Sequence, residues 1–334
     1  MKKITALLLA LFMLVGALAG CGKQNDTNQT DKLSIVTTIF PEYDWVREIL
    51  GEKADNAEIT MLLDNGVDLH SYQPTADDIV KISDCDLFIY VGGESDGWVE
   101  DALRNAANRN MKVINLLEIL GDSVKTEEIV EGMQEEKHEH EDAHAHEDAE
   151  EHEHEEEADE HVWLSLKNAK MLVRVISKAL QELDPDNKDT YAANADAYVK
   201  KLSALDAEYQ AAVDAASNKT ILFGDRFPFR YLVDDYGLRY YAAFVGCSAE
   251  TEAGFETISF LAKRMDELKL PCVLTIEGAQ HKIAETIVRN TTAKNQRVLT
   301  MDSMQSTTSK DVKNGTTYLS VMEKNLSVLK EALR

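Results

Sequence analysis

The stretch from Gln134 to Leu166, QEEKHEHEDAHAHEDAEEHEHEEEADEHVWLSL, sets the first limit on what this chain can fold into. Between Glu127 and Glu160 there are 18 Asp and Glu against one Lys, a net of −17, which leaves only −8 of the chain's total of −25 for everything else. From His138 to Ala158 no apolar residue is larger than Ala. A run of like charge with no apolar face has nothing to bury and stays solvated. Any core must therefore be built from the sequence before and after it, and the acidity is a local field that attracts cations.

Seven of the nine histidines lie in this stretch: His138, His140, His144, His146, His152, His154 and His161. Neutral imidazole is a borderline-soft nitrogen ligand that prefers zinc, copper or nickel to calcium or magnesium. A tract of this composition reads as metal-binding. Incidental histidines in a solvated acidic linker are the alternative, and seven in 24 residues argue against it. The segment His140-Glu141-Asp142-Ala143-His144 formally matches the zinc-protease pattern H-E-x-x-H. That pattern needs a helix with a packed back face to hold two histidines and a general base over the metal, and the Glu, Asp and Ala flanks supply none.

At the N-terminus, Lys2 and Lys3 precede the apolar run from Ile4 to Leu18, followed by Ala19-Gly20-Cys21. A charged start, an apolar middle and small residues before a cut site make a secretory signal over residues 1–20. The apolar run is shorter than the ~20 residues that span a bilayer. Leu18-Ala19-Gly20-Cys21 resembles the bacterial lipobox, which implies cleavage before Cys21 and its lipidation. Residues 21–32 are then a lipidated Cys with a polar, flexible tether, and the protein is expected to be extracytoplasmic, anchored to the membrane through acylated Cys21.

The roughly 300 residues from Leu33 suggest two lobes, each with its own core. Cys85, Cys247 and Cys272 are an odd set at irregular spacing, which is no disulfide framework; three buried thiols are expected, with one bridge as the alternative. No basic aromatic patch points to nucleic acid, and a monomer is expected.

From Leu33 the chain alternates strand and helix. Strands are expected at Leu33–Ile39, Ala57–Leu63, Leu87–Val91 and Lys112–Leu117, with helices opening at Pro41, Pro74 and Trp98. Near-continuous apolar strands between helices mean a parallel sheet covered on both faces. A helix over Leu166–Leu183 is stopped at Asp184-Pro185. Lys188–Ala216 then runs 29 residues without Pro or Gly, its apolar residues spaced by three and four. At 1.5 Å per residue that is about 43 Å, long enough to join two lobes. The second half repeats the pattern, with strands at Thr220–Phe223, Cys272–Ile276 and Arg297–Met301, a weaker one at Arg239–Ala243, and helices at Pro228–Tyr236, Phe255–Leu268, Ala279–Thr291 and Thr316–Leu333. The expected class is α/β: an N-terminal lobe over 33–187 interrupted by the acidic loop at 127–160, an interlobe helix over 188–216, and a C-terminal lobe over 217–334.

Ligands of open α/β sheets sit beyond the carboxyl ends of the strands. His70, His161, Asp225, Glu277 and Asp302 all fall at such ends. Each alone is an ordinary loop residue or cap; five together, two of them histidines, point to a metal cleft.

At these residues a family becomes recognisable. Asp68-Leu69-His70-Ser71-Tyr72-Gln73-Pro74-Thr75 resembles the D-P-H-x-Y-x-P-T segment of the zinc- and manganese-binding lipoproteins (cluster A-I solute-binding proteins) of metal ABC transporters. His161-Val162-Trp163-Leu164-Ser165 resembles their H-x-W-L-S segment, with the His-rich loop directly before it as in zinc-binding members. The resemblance spans Leu33 to Arg334. It implies two lobes joined by a rigid helix, a metal in the cleft between them, and delivery of that metal to the membrane subunits of an ABC permease. Carried over by residue, His70 and His161 are the first two ligands and Asp302 the fourth. The third departs: where the family has histidine, counting back from Tyr236-Gly237-Leu238, this chain has Arg226, and a guanidinium does not ligate zinc. Either Asp225 then turns in as the substitute or the site has one protein ligand fewer; Arg226 stands behind the ligands or pairs with one of the carboxylates, Glu277 stands behind them or substitutes as a ligand, and His281 is expected at the surface.

Three histidines favour zinc, whereas two histidines with two carboxylates move toward manganese or iron; the His-rich stretch favours zinc again. The expectation is a zinc-capturing transport protein and not an enzyme. In it the tract (His138, His140, His144, His146, His152, His154) collects Zn2+ and passes it to the cleft. The alternatives are a manganese or iron carrier of the same type, a surface zinc-buffering adhesin, and a metal-dependent hydrolase with Glu277 as its base.

Overall fold

The first strand, β1 (Leu33–Thr37), pairs in parallel with β2 (Ala57–Met61) on one side and β3 (Leu87–Tyr90) on the other, and β3 pairs with β4 (Lys112–Asn115), giving the order β2-β1-β3-β4. The computed structural model describes residues 32–134, 157–248, 252–278 and 281–334. The signal sequence, Cys21 and the six collecting histidines lie outside the described residues. Among the described residues no helix is long and apolar enough to cross a membrane.

Covering the first sheet are α1 (Phe40–Leu50), α2 (Ala76–Asp84), α3 (Val99–Arg104) and α4 (Leu116–Leu120). Their starts follow local chemistry. Pro41 sits in the first turn of α1, where no amide is needed. Thr75 caps α2 by accepting the Asp78 N–H. The fourth strand ends at Asn115, two residues short of the expected Leu117, because the Asn115 side chain accepts the Glu118 N–H at 3.0 Å and starts α4.

After the acidic stretch, α5 (Leu166–Leu183) begins at Ser165, whose hydroxyl accepts the Asn168 N–H. The long helix α6 (Lys188–Ala215) has 28 residues, about 42 Å at the helical rise. Its Tyr191, Ala195, Tyr198, Leu202, Leu205 and Tyr209 are all buried.

The second half contains β5 (Thr220–Leu222), β6 (Arg226–Phe227), α7 (Arg230–Tyr236), β7 (Arg239–Tyr241), β8 (Phe244–Val245), α8 (Phe255–Leu268), β9 (Cys272–Thr275), α9 (Lys282–Asn290), β10 (Arg297–Thr300), α10 (Ser309–Lys313) and α11 (Tyr318–Ala332). The pairs β5–β7 and β9–β10 are parallel, and a parallel bridge between Phe223 and Leu274 brings β5 beside β9. The two-residue pair β6–β8, also parallel, was not legible in the sequence. These are two α/β lobes of parallel strands and flanking helices joined by a long helix.

The two halves are locked together. One apolar cluster contains β1, α1, α5, α6 and α11 residues alike, and a smaller one forms under α8, α9 and β9. Tyr318, at the start of α11, donates its N–H to Asp44 of α1 at 2.9 Å and stacks edge-on against Trp45 with centroids 5.3 Å apart. Tyr209 of α6 donates to the Met322 carbonyl at 2.6 Å. Trp163, two residues past His161, donates its indole N–H to the Ser303 carbonyl at 2.9 Å, and its own carbonyl accepts from the Tyr318 hydroxyl at 2.7 Å.

Candidate metal centre

His70 lies beyond β2 in a 3-10 turn, Leu69–Ser71, that Asp68 caps by accepting the His70 N–H at 3.0 Å. Its Nδ1 is 2.8 Å from Ser95 Oγ and 3.4 Å from Glu160 Oε2. Glu160 is itself buried, and its Oε1 accepts the Ser95 N–H at 2.9 Å. Gly93 makes room for it: the glycine has φ +82°, and a Cβ there would lie 2.3 Å from Glu160 Oε1. The other carboxylate oxygen, Oε2, has no hydrogen-bond partner apart from its approach to His70.

His161 is fully buried. Asp159 Oδ1 accepts both its N–H, at 2.9 Å, and its Nδ1–H, at 3.0 Å. A carboxylate on Nδ1 fixes the proton there and leaves the Nε2 lone pair free. With Ser95 and Glu160 on the Nδ1 side of His70, the same holds for that ring. The two Nε2 atoms face each other at 3.2 Å. At that distance the pair either shares a proton, one Nε2–H donating to the other Nε2, or with both protons on Nδ1 presents two lone pairs that a cation between them would hold. The separation is close to the roughly 3.4 Å edge of a tetrahedron built on zinc–nitrogen bonds of about 2.0–2.1 Å.

Among the described residues, the one group of three or more His, Cys, Asp or Glu placed to hold a metal is His70, His161 and Cys247, whose ligand atoms all lie within 4.8 Å of one another. Cys247 follows β8, and its N–H donates to Glu127 Oε1 at 2.8 Å. Gly246 permits the approach: a Cβ there would be 3.1 Å from His161 Cε1 and 3.0 Å from the Phe227 carbonyl. Glu127 belongs to the neck of the acidic stretch, where an antiparallel bridge joins Thr126 to Ala158 and the Glu127 N–H donates to Glu157 at 2.9 Å. Tyr231 of α7 holds this neck to the second half, donating to the Asp159 carbonyl at 2.7 Å and accepting the Lys125 N–H at 3.0 Å.

The remaining expected residues are not members of this group. Arg226 forms an ion pair with Asp68, one of the carboxylate pairings open to it. Asp225 lies outside the group of three; its oxygens accept the Arg226 N–H at 2.9 Å and the Ile276 N–H at 3.4 Å. Asp302 is also outside it, accepting the Met304 N–H at 2.8 Å. Glu277 holds the loop that carries Asp302, accepting from Ser303 N at 2.6 Å, Ser303 Oγ at 2.7 Å and Gln305 N at 3.1 Å. His281 is half-buried at the start of α9 rather than at the surface, with its Nδ1 enclosed.

Electrostatics sort the carboxylates. Burial opposes ionisation of Asp68 and Glu160, but Arg226 beside Asp68, and the hydrogen bonds from His70 and Ser95 to Glu160, hold both below the usual range. Burial and then the nearby Glu277 charge push Asp302 up to about 6, and burial raises Asp225. For His161 burial disfavours the imidazolium, yet the charge and hydrogen bond of Asp159 outweigh it and raise the ring's pKa.

Sequence reasoning named the two histidines that face each other here and did not single out Cys247, Ser95, Asp159 or Glu160, which the structure places beside them. Asp159 and Glu160 directly precede His161, but among 18 acidic residues they carry no distinguishing signal. Cys247 is half-buried, not a core thiol like Cys85 and Cys272, and all three are free.

The comparisons with known proteins agree with this geometry. The chain is 33% identical over 331 residues to the zinc-binding lipoprotein AdcA of Streptococcus pneumoniae serotype 4, a match covering 99% of this chain and 61% of that protein. It thus spans less than two thirds of the pneumococcal relative. It is 31% identical over 328 residues to the high-affinity zinc uptake system protein ZnuA of Bacillus subtilis, covering 97% of this chain and 95% of the relative. The crystal structure of the Zn(II)-bound ZnuA-like domain of S. pneumoniae AdcA superposes with a TM-score of 0.68 at 29% identity, covering 90% of this chain and 99% of that one. The metal-dependent lipoprotein YcdH of B. subtilis gives 0.70 at 25% identity, covering 90% and 99%. Residues 35–332 match the family model described as zinc-uptake complex component A, periplasmic. With the fold, the paired histidines and a match over nearly all of the described chain in agreement, this protein belongs to the zinc-uptake complex component A family.

Proposed function

We propose that this protein is an extracytoplasmic, membrane-anchored solute-binding protein that captures zinc between its lobes and delivers it to an ABC permease. The observation that carries the reading is the facing pair of imidazole nitrogens, 3.2 Å apart and each backed on its Nδ1 side by polar or acidic partners. Its support from relatives is that proteins named as zinc-binding or zinc-uptake components match nearly all of this chain.

His70 and His161 are the ligands in this reading. Asp159 orients His161, and Ser95 with Glu160 orients His70. Asp302, whose Oδ1 accepts one backbone amide, and Asp225, whose two oxygens accept one each, are the further ligands in this reading. The acidic stretch supplies a weak accessory reservoir through His138, His140, His144, His146, His152 and His154. The motive is its neck, which leads directly into Asp159, Glu160 and His161. Zinc is cargo here, so nothing calls for a reacting group beside it, and membership of a transport family leaves no place for the hydrolase alternative. Acylation of Cys21 provides the anchor.

The test is zinc uptake by the native host under chelator-imposed limitation. Deletion of this gene lowers uptake of zinc but not of manganese, and the parent gene restores it while H161A does not. Uptake unchanged by deletion, or restored equally by H161A, overturns the reading.

A further inference from the structure

We propose that Cys247 is the third protein ligand of the cleft, so that the site is a two-histidine, one-thiolate centre selective for thiophilic divalent cations over manganese. The inference rests on the metal-binding reading above and deepens it, by assigning a ligand that the family resemblance does not supply.

Four observations carry it. First, Arg226, a side chain that cannot ligate a cation, is engaged with Asp68 beside His70 and leaves that direction without a ligand. Second, Cys247 Sγ belongs with the two imidazole Nε2 atoms to one group within 4.8 Å. A tetrahedron with zinc–nitrogen bonds of about 2.0–2.1 Å and a zinc–sulfur bond of about 2.3 Å has nitrogen–sulfur edges near 3.6 Å, so only a small closing movement is needed. Third, the position is built. Gly246 lies against the His161 ring where any side chain would crowd it, and Glu127 fixes the Cys247 peptide N–H at 2.8 Å. Fourth, the other two described thiols are more deeply buried: Cys85 and Cys272 are 0% and 3% exposed, whereas Cys247 is half-buried.

The consequence is a change of selectivity. His70 and His161 both come from the first half, so Cys247 is the member of the group contributed by the second half. A thiolate there ties the halves through the ion and suits zinc, cobalt(II) or cadmium, whereas manganese prefers oxygen. On binding, the sulfur–hydrogen bond breaks, the proton passes to solvent, and a metal–sulfur bond forms. No oxidant or reductant is involved.

Cobalt(II) titration of the full, metal-free chain tests this. A near-ultraviolet thiolate-to-cobalt charge-transfer band saturating at one equivalent is expected. The tract histidines cannot give that band, because it requires sulfur. C247S loses the band, and so does C247H, which still offers a ligand atom and guards against misfolding in the serine variant. Manganese in large excess leaves the band unchanged. Cobalt bound by the parent without the band, or a band that persists in C247S, overturns the assignment. If H70A and H161A nevertheless abolish tight cobalt binding, the metal-capture reading stands while Cys247 falls. If those variants bind cobalt as the parent does, both fall.

Discussion

Replacing Asp159 by Asn tests whether the buried carboxylate sets the ligand state of His161. Asp159 is 2% exposed and its Oδ1 accepts both the backbone N–H and the Nδ1–H of His161, at 2.9 and 3.0 Å. The amide oxygen of Asn can still accept one of these. Its nitrogen can also turn toward Nδ1, which moves the ring proton to Nε2 and removes the lone pair that faces His70. Loss of an outer carboxylate partner costs about 10–100-fold in metal affinity, or roughly 1.4–2.7 kcal/mol. D159N, through the tautomer shift, and D159A, through loss of the partner, are both expected within this range. The assay is zinc titration against a competing chromogenic chelator, with a thermal melt of the metal-free protein as control for folding. A second signature comes from pH. Asp159 raises the His161 pKa against the effect of burial, so protons compete with zinc at higher pH in the parent than in D159N. The affinity gap between the two must therefore narrow as pH falls from about 8 toward 6. A D159N affinity within about twofold of the parent, or a gap that does not change with pH, refutes the reasoning.

Two further predictions concern stability. Glu42 is fully buried, and burial followed by the Asp96 charge raises its pKa from 4.5 to about 8. A carboxyl whose folded pKa is raised favours the folded state most when protonated. The metal-free protein should therefore lose stability as pH rises from about 4.5 to about 8, by up to roughly 5 kcal/mol from this group at 1.36 kcal/mol per pKa unit. E42Q flattens that slope in urea melts at pH 5 and pH 8; equal slopes in parent and variant contradict it. R226M leaves the mostly buried Asp68 without its countercharge and lowers folding stability by about 1–3 kcal/mol, and D68N in the same chain recovers most of the loss. A double variant no more stable than R226M excludes the pair as the cause.

Much of this architecture was legible in the sequence because its signals are local. Pro41 and the break at Asp184-Pro185 mark helix ends through their own backbone chemistry, and Lys188–Ala215 declares itself by length and spacing, whereas the second helix opens at Ala76 under a Thr75 cap and not at the expected Pro74. Strand ends were less legible. At Asn115 a side-chain cap overrides the apolar run that continues into Leu116 and Leu117. Pairing of the two-residue strands β6 and β8 depends on a partner 18 residues away, which no local pattern encodes. The same division holds at the site. His70 and His161 stand in recognisable segments. Cys247 reaches them only because Gly246 lets a loop of the other half lie against an imidazole, and a contact of that kind leaves no trace in spacing. Arg226 could be read as a departure, but its pairing with Asp68 depends on tertiary placement.

The central claim is that the tight zinc site is the cleft and that the acidic stretch only collects. Zinc stoichiometry and affinity of the full chain decide it most directly. They should be measured beside an H70A/H161A variant and a variant with His138, His140, His144, His146, His152 and His154 all changed to Ala. The account predicts one tight zinc plus weaker ions in the parent, the tight zinc alone in the tract variant, and weak binding alone in H70A/H161A. Tight binding that survives in H70A/H161A and disappears from the tract variant would place the site in the acidic stretch and contradict it.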